Sequence, residues 1–270
     1  MSAPLLTVDG LAIAYDGKRV VEDVGFNVSR GELLALVGES GSGKSSIARA
    51  IAGLVPPAAG HIRLDGQDLV TTRGRQGRGL RRRIQMIFQD PDASLNPWHS
   101  IDTALREPLI VCGLKDRAAQ SARIAELADM VQLPAALLSR RPRELSGGQK
   151  SRVAIARALA MQPDLLIADE ALAALDVSMQ AAISTLLADL KARLGLAMLF
   201  ISHDLGMVGH LADTVIVLRH GRIQEAGPCR SVLITPAHPY TRALIAATPD
   251  LAKGGLDLDA PDLTEEGVTP

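Results

Sequence analysis

The chain has 270 residues, 47% of them apolar, which is ample for a buried core in one large domain or two lobes and excludes a disordered chain. A formal net charge of -1 lacks the basic surplus that nucleic-acid partners usually require. Its two cysteines, Cys112 and Cys229, lie far apart without metal-ligand spacing, which argues against a disulfide framework, zinc or an iron–sulfur cluster and points to a reducing compartment.

No basic segment followed by a long apolar run opens the chain, so no secretory signal is expected. Nor does any stretch approach the ~18 uninterrupted apolar residues that cross a bilayer. The expectation is a soluble chain whose membrane role, if it has one, is borrowed from a partner. Aromatics are only 2% of the residues, so Tyr15, Phe88 and Trp98 each invite a question about their work.

From Leu5 to about Gly66, short Val, Leu and Ile runs alternate with the turn pairs Asp9-Gly10, Asp16-Gly17, Arg30-Gly31 and Asp65-Gly66. This predicts several strands, some paired as hairpins, with one helix inserted after Lys44. Gly38-Glu39-Ser40-Gly41-Ser42-Gly43-Lys44-Ser45 fits G-x-x-x-x-G-K-[ST], between the strand Leu33–Val37 and the helical run Ser46–Leu54. The glycines let the backbone wrap until its N–H groups face phosphate oxygens, and the helix N-terminus adds partial positive charge. The binding set expected here is Gly38, Ser40, Gly41, Ser42, Gly43, Lys44, Ser45 and Ser46. Lys44 would reach the outer phosphates and Ser45 would ligate magnesium.

The run from Arg73 to Arg83 is rich in arginine and glycine, and reads as a solvated, mobile basic loop because the rest of the chain is balanced in charge. From about Asp92 to Ala160 apolar residues recur at helical spacing, as in Ile124, Leu127, Met130 and Val131, with Pro134 and Pro142 as punctuation. A helical lobe over about 92–160 is expected.

Beyond it strands and helices alternate: Leu165–Ala168 as a buried strand, a helix over Ser178–Leu194, a strand over Ala197–Ile201, and a helix from about Asp204. Val215–Leu218 and Arg222–Glu225 flank His220-Gly221 as a hairpin. This alternation predicts a parallel α/β core with helices on both faces. The first of these strands ends in Asp169-Glu170 at the sheet edge where ligands of open α/β sheets bind. Asp169 suits a magnesium shell, and Glu170, pointing the other way, could activate a water as general base. His203 follows Ala197–Ile201 and would share that edge, although a lone histidine there is usually incidental; Asp204 reads as a helix cap. From about Lys253 the tail reads as poorly ordered.

Leu145-Ser146-Gly147-Gly148-Gln149 resembles the signature of ATP-binding cassette proteins. In physical terms it is a second anion-binding helix start, ahead of Lys150–Leu159. The resemblance covers Leu5 to about Pro249. It implies a P-loop NTPase core of α/β class with an antiparallel β-subdomain and an α-helical subdomain, a nucleotide-binding domain over residues 1–252, and ATP with Mg2+ as cofactors. It also implies that Tyr15 stacks on adenine, that Gln89 joins Ser45 and Asp169 around magnesium, and that Asp176 sits at a dimer interface. Lys44, Glu170, Gln89 and His203 become the catalytic set. ATP would lie between the cradle of one cassette and Ser146, Gly147, Gly148 and Gln149 of another, in a head-to-tail pair.

Gln85–Pro91, Ser94–Pro97 and Pro236–Arg242 resemble the oligopeptide, dipeptide and nickel importer branch, and Arg81-Arg82-Arg83 with Glu107-Pro108-Leu109 resemble the second of two ATPases such systems carry. The implied partners are two membrane permeases, a second cassette or a copy of this one, and indirectly an extracytoplasmic solute-binding protein, with no nucleic acid. The implied place is the cytoplasmic face of the inner membrane. Ala171-Leu172-Ala173 and Lys150 depart from the branch pattern. Two rivals share the motifs: a non-transport cassette of DNA repair or the ribosome, and a module that closes on ATP without hydrolysing it. Neither explains the importer-like segments together with Glu170.

Overall fold

The computed structural model describes residues 3–72, 74–90, 94–173 and 175–248. The predicted tail from Lys253 lies outside the described residues, as do Arg73 and Pro91 within two of the segments singled out above.

Asp16 and Gly17 both take positive φ, 49° and 80°, the combination that matches the twist of a tight hairpin, and they join β1 (Leu6–Tyr15) to β2 (Lys18–Val28). With β4 (Ala59–Leu64) and the short β5 (Gln67–Asp68) these form an antiparallel sheet of order β2-β1-β4-β5. The second sheet has order β10-β9-β3-β8-β7-β6, built from β3 (Leu33–Val37), β6 (Ile84–Ile87), β7 (Leu165–Asp169), β8 (Ala197–Ile201), β9 (Thr214–Arg219) and β10 (Arg222–Pro228). All its pairings are parallel except that of β9 with β10, the predicted hairpin.

Strands β3, β7 and β8 are apolar almost throughout because both of their faces are covered. Successive side chains alternate between two cores: Leu33, Ala35 and Val37 enter one, Leu34 and Leu36 the other. The second core lies against the antiparallel sheet and α1 (Lys44–Ile51). The first is closed by α3 (Ile101–Val111), α4 (Arg117–Met130), α5 (Gly147–Leu159), α6 (Val177–Leu194), α7 (Leu205–Leu211) and α8 (Cys229–Ile234). Last comes α9 (Pro239–Ala246). Among the described residues no helix is long and apolar enough to cross a membrane.

Helix α1 stops at Ile51, short of the predicted Leu54, because the N–H groups of Leu54 and Val55 both turn back onto the Arg49 carbonyl. The larger correction concerns the basic run. Gly74–Arg82 is a helix, α2, and not a solvated loop. Composition hides its anchor: Leu80 is buried and Arg81 Nη2 donates to the Leu69 carbonyl at 3.2 Å, while Arg75, Arg78 and Arg82 face outward. One buried leucine and one tethered arginine suffice to fix a helix that its glycines alone would disfavour.

Candidate nucleotide site

The loop Gly38–Gly43 leaves the buried end of β3 through a passage only glycine can use. Gly38 has φ 145°, and a Cβ there would lie 2.1 Å from the Leu218 carbonyl oxygen, a backbone atom of a packed strand. Further along, the Ser42 carbonyl accepts the Gly221 N–H at 2.9 Å, so the β9–β10 hairpin braces the loop from behind. No sequence signal marks Leu218 or Gly221 for this task.

Lys44 opens α1 and is only 4% exposed. Its Nζ donates to the carbonyls of Gly38 and Glu39, each at 2.8 Å, and to Ser42 Oγ at 3.3 Å. Burial pulls its pKa below the ordinary lysine value, while the charges of Glu170, Asp169 and Glu39 act in the opposite sense. The helix cap is Gly43, which offers no side chain to the first N–H groups, so these remain directed at the loop.

Across from the cradle, Ser45 Oγ donates to Asp169 Oδ1 at 2.8 Å. Burial raises the Asp169 pKa, partly offset by the Ser45 hydrogen bond and the charge of Arg49, a neighbour the motifs do not point to. A hydroxyl and a carboxylate are hard oxygen donors, the set magnesium takes when phosphate oxygens and waters complete its octahedron. Among the described residues no cluster of three His, Cys, Asp or Glu side chains could hold a metal by itself.

Glu170 continues the strand's pairing through its N–H to the Ile201 carbonyl at 3.1 Å, then turns sharply, with φ 47°. A left-handed backbone at a residue with a Cβ costs roughly 1–2 kcal/mol and is held here by its surroundings. Beyond the turn, His203 Nδ1 lies 3.8 Å from Glu170 Oε1. Leu172, one of the departures from the branch pattern, is buried in the core, and its carbonyl accepts from Gln180 Nε2 at 3.1 Å. Packing and that bond hold the loop after the acid pair.

Tyr15 ends β1, is 39% exposed, and its hydroxyl donates to Ser46 Oγ at 3.5 Å, so it stands beside the start of α1. Gln89 is exposed two residues beyond β6, whose Ile87 pairs with Ala168, so it leaves the sheet on the same edge as Asp169. Ser146 caps α5 in a reciprocal box: its Oγ accepts the Gln149 N–H at 3.3 Å and Gln149 Oε1 accepts the Ser146 N–H at 2.9 Å. The helix thus begins at Gly147, earlier than the sequence suggests, with Ser146 and Gly147 exposed. Asp176 caps α6 through the Met179 N–H, and Asp204 caps α7 through the Met207 N–H. The structure therefore brings Lys44, Ser45, Asp169, Glu170 and His203 to one sheet edge and leaves Ser146 and Gly147 of the signature exposed while Gly148 is buried.

A family model described as ABC transporter matches residues 21–173. The chain belongs to the ABC transporter family. It is 47% identical over 250 residues to a Brucella ovis protein provisionally named a peptide import ATP-binding protein, covering 91% of this chain and 79% of that one. A Brucella abortus protein of like name is 48% identical over 237 residues, covering 87% and 71%. Among solved structures, cbiO1 of Clostridium perfringens, part of the ABC transporter complex cbiONQ, aligns with a TM-score of 0.79 at 28% identity, over 96% of this cassette and all 100% of its own chain. The ATP-binding cassette MJ0796, solved as a dimer in a post-hydrolysis state with ADP and Pi, aligns with a TM-score of 0.75 at 28% identity over 83% of this chain and 99% of its own. The cassette is an ATP-binding ATPase of α/β fold with an antiparallel β-subdomain and a helical subdomain, as the motifs imply.

Proposed function

We propose that this cassette energises an importer for peptides, or for a related small solute such as a nickel chelate, from the cytoplasmic face of the cell membrane. The observation that carries the catalytic part is the convergence of Lys44, Ser45, Asp169, Glu170 and His203 on one edge of the sheet. The names of its Brucella relatives support peptides as the solute class.

In this reading the loop N–H groups and Lys44 bind the outer phosphates. Ser45 and Asp169, with Gln89, would hold magnesium, which would supply positive charge to the phosphates. Glu170 takes a proton from the attacking water, and His203 orients the γ-phosphate beside it. The Ser146–Gln149 helix start, exposed at Ser146 and Gly147, completes the site of an opposing cassette, head to tail, with Asp176 at the seam. ATP closes the pair and hydrolysis reopens it, a two-state element biased by its ligand. Tyr15 stacks on the adenine. Tyr15→Ala is therefore expected to weaken ATP binding by ~1–2 kcal/mol, read by competition with a fluorescent nucleotide; an unchanged Kd returns Tyr15 to a surface role.

A groove of 460 Å³ opens between the end of β6 and the helical lobe, lined by Leu54, Phe88, Glu107, Val111 and Met161 among others. Leu54 and Val111 are more than half exposed, and an apolar groove of this kind fits a helix of a permease. The test is affinity capture of the cassette from solubilised native membranes. Two polytopic permeases and a sister or identical cassette are expected, with a solute-binding protein traceable through them. Val111→Glu is expected to lose the permeases while keeping ATP affinity. A soluble complex, or one with nucleic acid, would replace the transport reading with the non-transport one.

A further inference from the structure

The segment following α8 folds into a hook held by the side chains of Glu225, His238 and Arg242. Glu225, on β10, accepts the N–H groups of Ala237 at 2.8 Å and His238 at 3.1 Å. His238 Nδ1 caps α9 by accepting the Tyr240 N–H at 3.1 Å, and Pro239 supplies the fixed φ of the first helical position. Arg242 Nη1 donates back to the carbonyls of Pro236 at 3.0 Å and Ala237 at 2.8 Å. These bonds surround one aromatic ring.

Tyr240 is 7% exposed, and the Arg219 guanidinium lies 4.5 Å from its ring centroid, a cation–π contact with the last residue of β9. Its hydroxyl accepts the Glu39 N–H, a long bond at 3.4 Å. Burial and the Glu39 carboxylate push the phenol above its ordinary pKa, against the hydrogen bond from the Glu39 N–H, which acts in the opposite sense. Glu39 belongs to the phosphate loop, and its carbonyl is the one that accepts from Lys44 Nζ at 2.8 Å and from the Ser42 N–H at 3.2 Å. One residue thus meets the C-terminal hook with its N–H and the cradle's lysine with its C=O.

We propose that Tyr240 is a positioning residue for the phosphate loop, acting through Glu39 on Lys44, so that the C-terminal hook sets the geometry of the nucleotide site. This rests on the nucleotide-site reading above. Glu39 precedes the glycines at positions 41 and 43, where the chain is most pliable, and an unrestrained N–H there would leave the loop's first turn defined from one side only. The Leu218 and Gly221 contacts brace the loop from the hairpin, and Tyr240 braces it from the hook.

Tyr240→Phe keeps the ring, its burial and the Arg219 contact, and removes only the oxygen. In the full-length cassette it is expected to raise the Kd for ATP about two- to tenfold, the effect of one net hydrogen bond, with turnover at saturating ATP held and the thermal midpoint unchanged. A ring that served packing alone would leave all three unaltered, so wild-type affinity in Tyr240→Phe overturns the proposal. Tyr240→Leu must weaken ATP binding at least as much as Tyr240→Phe; a smaller effect overturns it as well. If the wild-type chain binds no ATP, the nucleotide-site reading itself falls and takes this link with it, whereas a wild-type chain that binds ATP beside an indifferent Tyr240→Phe removes the link alone.

Discussion

Glu170→Gln is expected to bind ATP as tightly as the wild type and to hydrolyse it about 10²- to 10⁴-fold more slowly, the usual worth of a positioned general base. The substitution is nearly isosteric, so the sharp turn at φ 47° and the Ile201 pairing of the main chain are kept. What is lost is the carboxylate charge that faces His203, while the Ser45–Asp169 hydrogen bond, which Glu170 does not make, is kept. Phosphate release and equilibrium nucleotide binding, measured on the same preparation, separate the two effects. Because hydrolysis is what reopens the pair in the proposed cycle, the variant should also accumulate as an ATP-bound dimer on size-exclusion chromatography. Unchanged turnover would remove Glu170 from the mechanism and promote another base.

Lys44→Ala should abolish tight ATP binding. The ammonium is the one cation buried within the loop, and charge-assisted bonds to phosphate of ~1.5–3 kcal/mol each would be lost, which for two bonds is a loss of at least about a hundredfold in affinity. The same side chain ties together Gly38, Glu39 and Ser42, so a melting curve belongs beside the titration. A variant that melts near the wild-type temperature and still binds ATP normally would contradict the cradle.

Much of this site was legible from local pattern. The apolar run Leu33–Val37 ahead of the glycines, the run Leu165–Ala168 ahead of two acids, and Asp204 ahead of a helix each carry their meaning within a few residues. The Asp16-Gly17 turn announces its hairpin for the same reason. Where the reading failed, the deciding atoms were distant or sparse. Helix α2 hangs on Leu80 and on a tether from Arg81 to Leu69, which a run of arginine and glycine conceals. The brace of the phosphate loop comes from Leu218 and Gly221, and the contact to Glu39 from Tyr240, about 200 residues away by the numbering of the pair. Spacing along the chain cannot announce such partners, because only the sheet order decides who stands beside whom. The signature helix lies between: a helix start after Ser146-Gly147-Gly148 was visible, but its beginning at Gly147 follows from the mutual hydrogen bonds of Ser146 and Gln149.

The central place of β3 also governs how the protein comes into being on the ribosome. Its two neighbours in the sheet are β8 and β9, so Leu36 pairs with Ile201 on one side and Ile216 on the other. The glycine loop is therefore translated early and must wait until nearly the whole chain has emerged, on the order of ten seconds at ordinary elongation rates, before the strands that support it exist. During that interval the apolar β3 lacks both of its partner strands, and the binding loop lacks the frame on which ATP could stabilise it. Nucleotide affinity in this cassette is consequently a property of the finished chain, and a ribosome-arrested fragment ending before Thr214 should be blind to ATP although every residue of the cradle is already present.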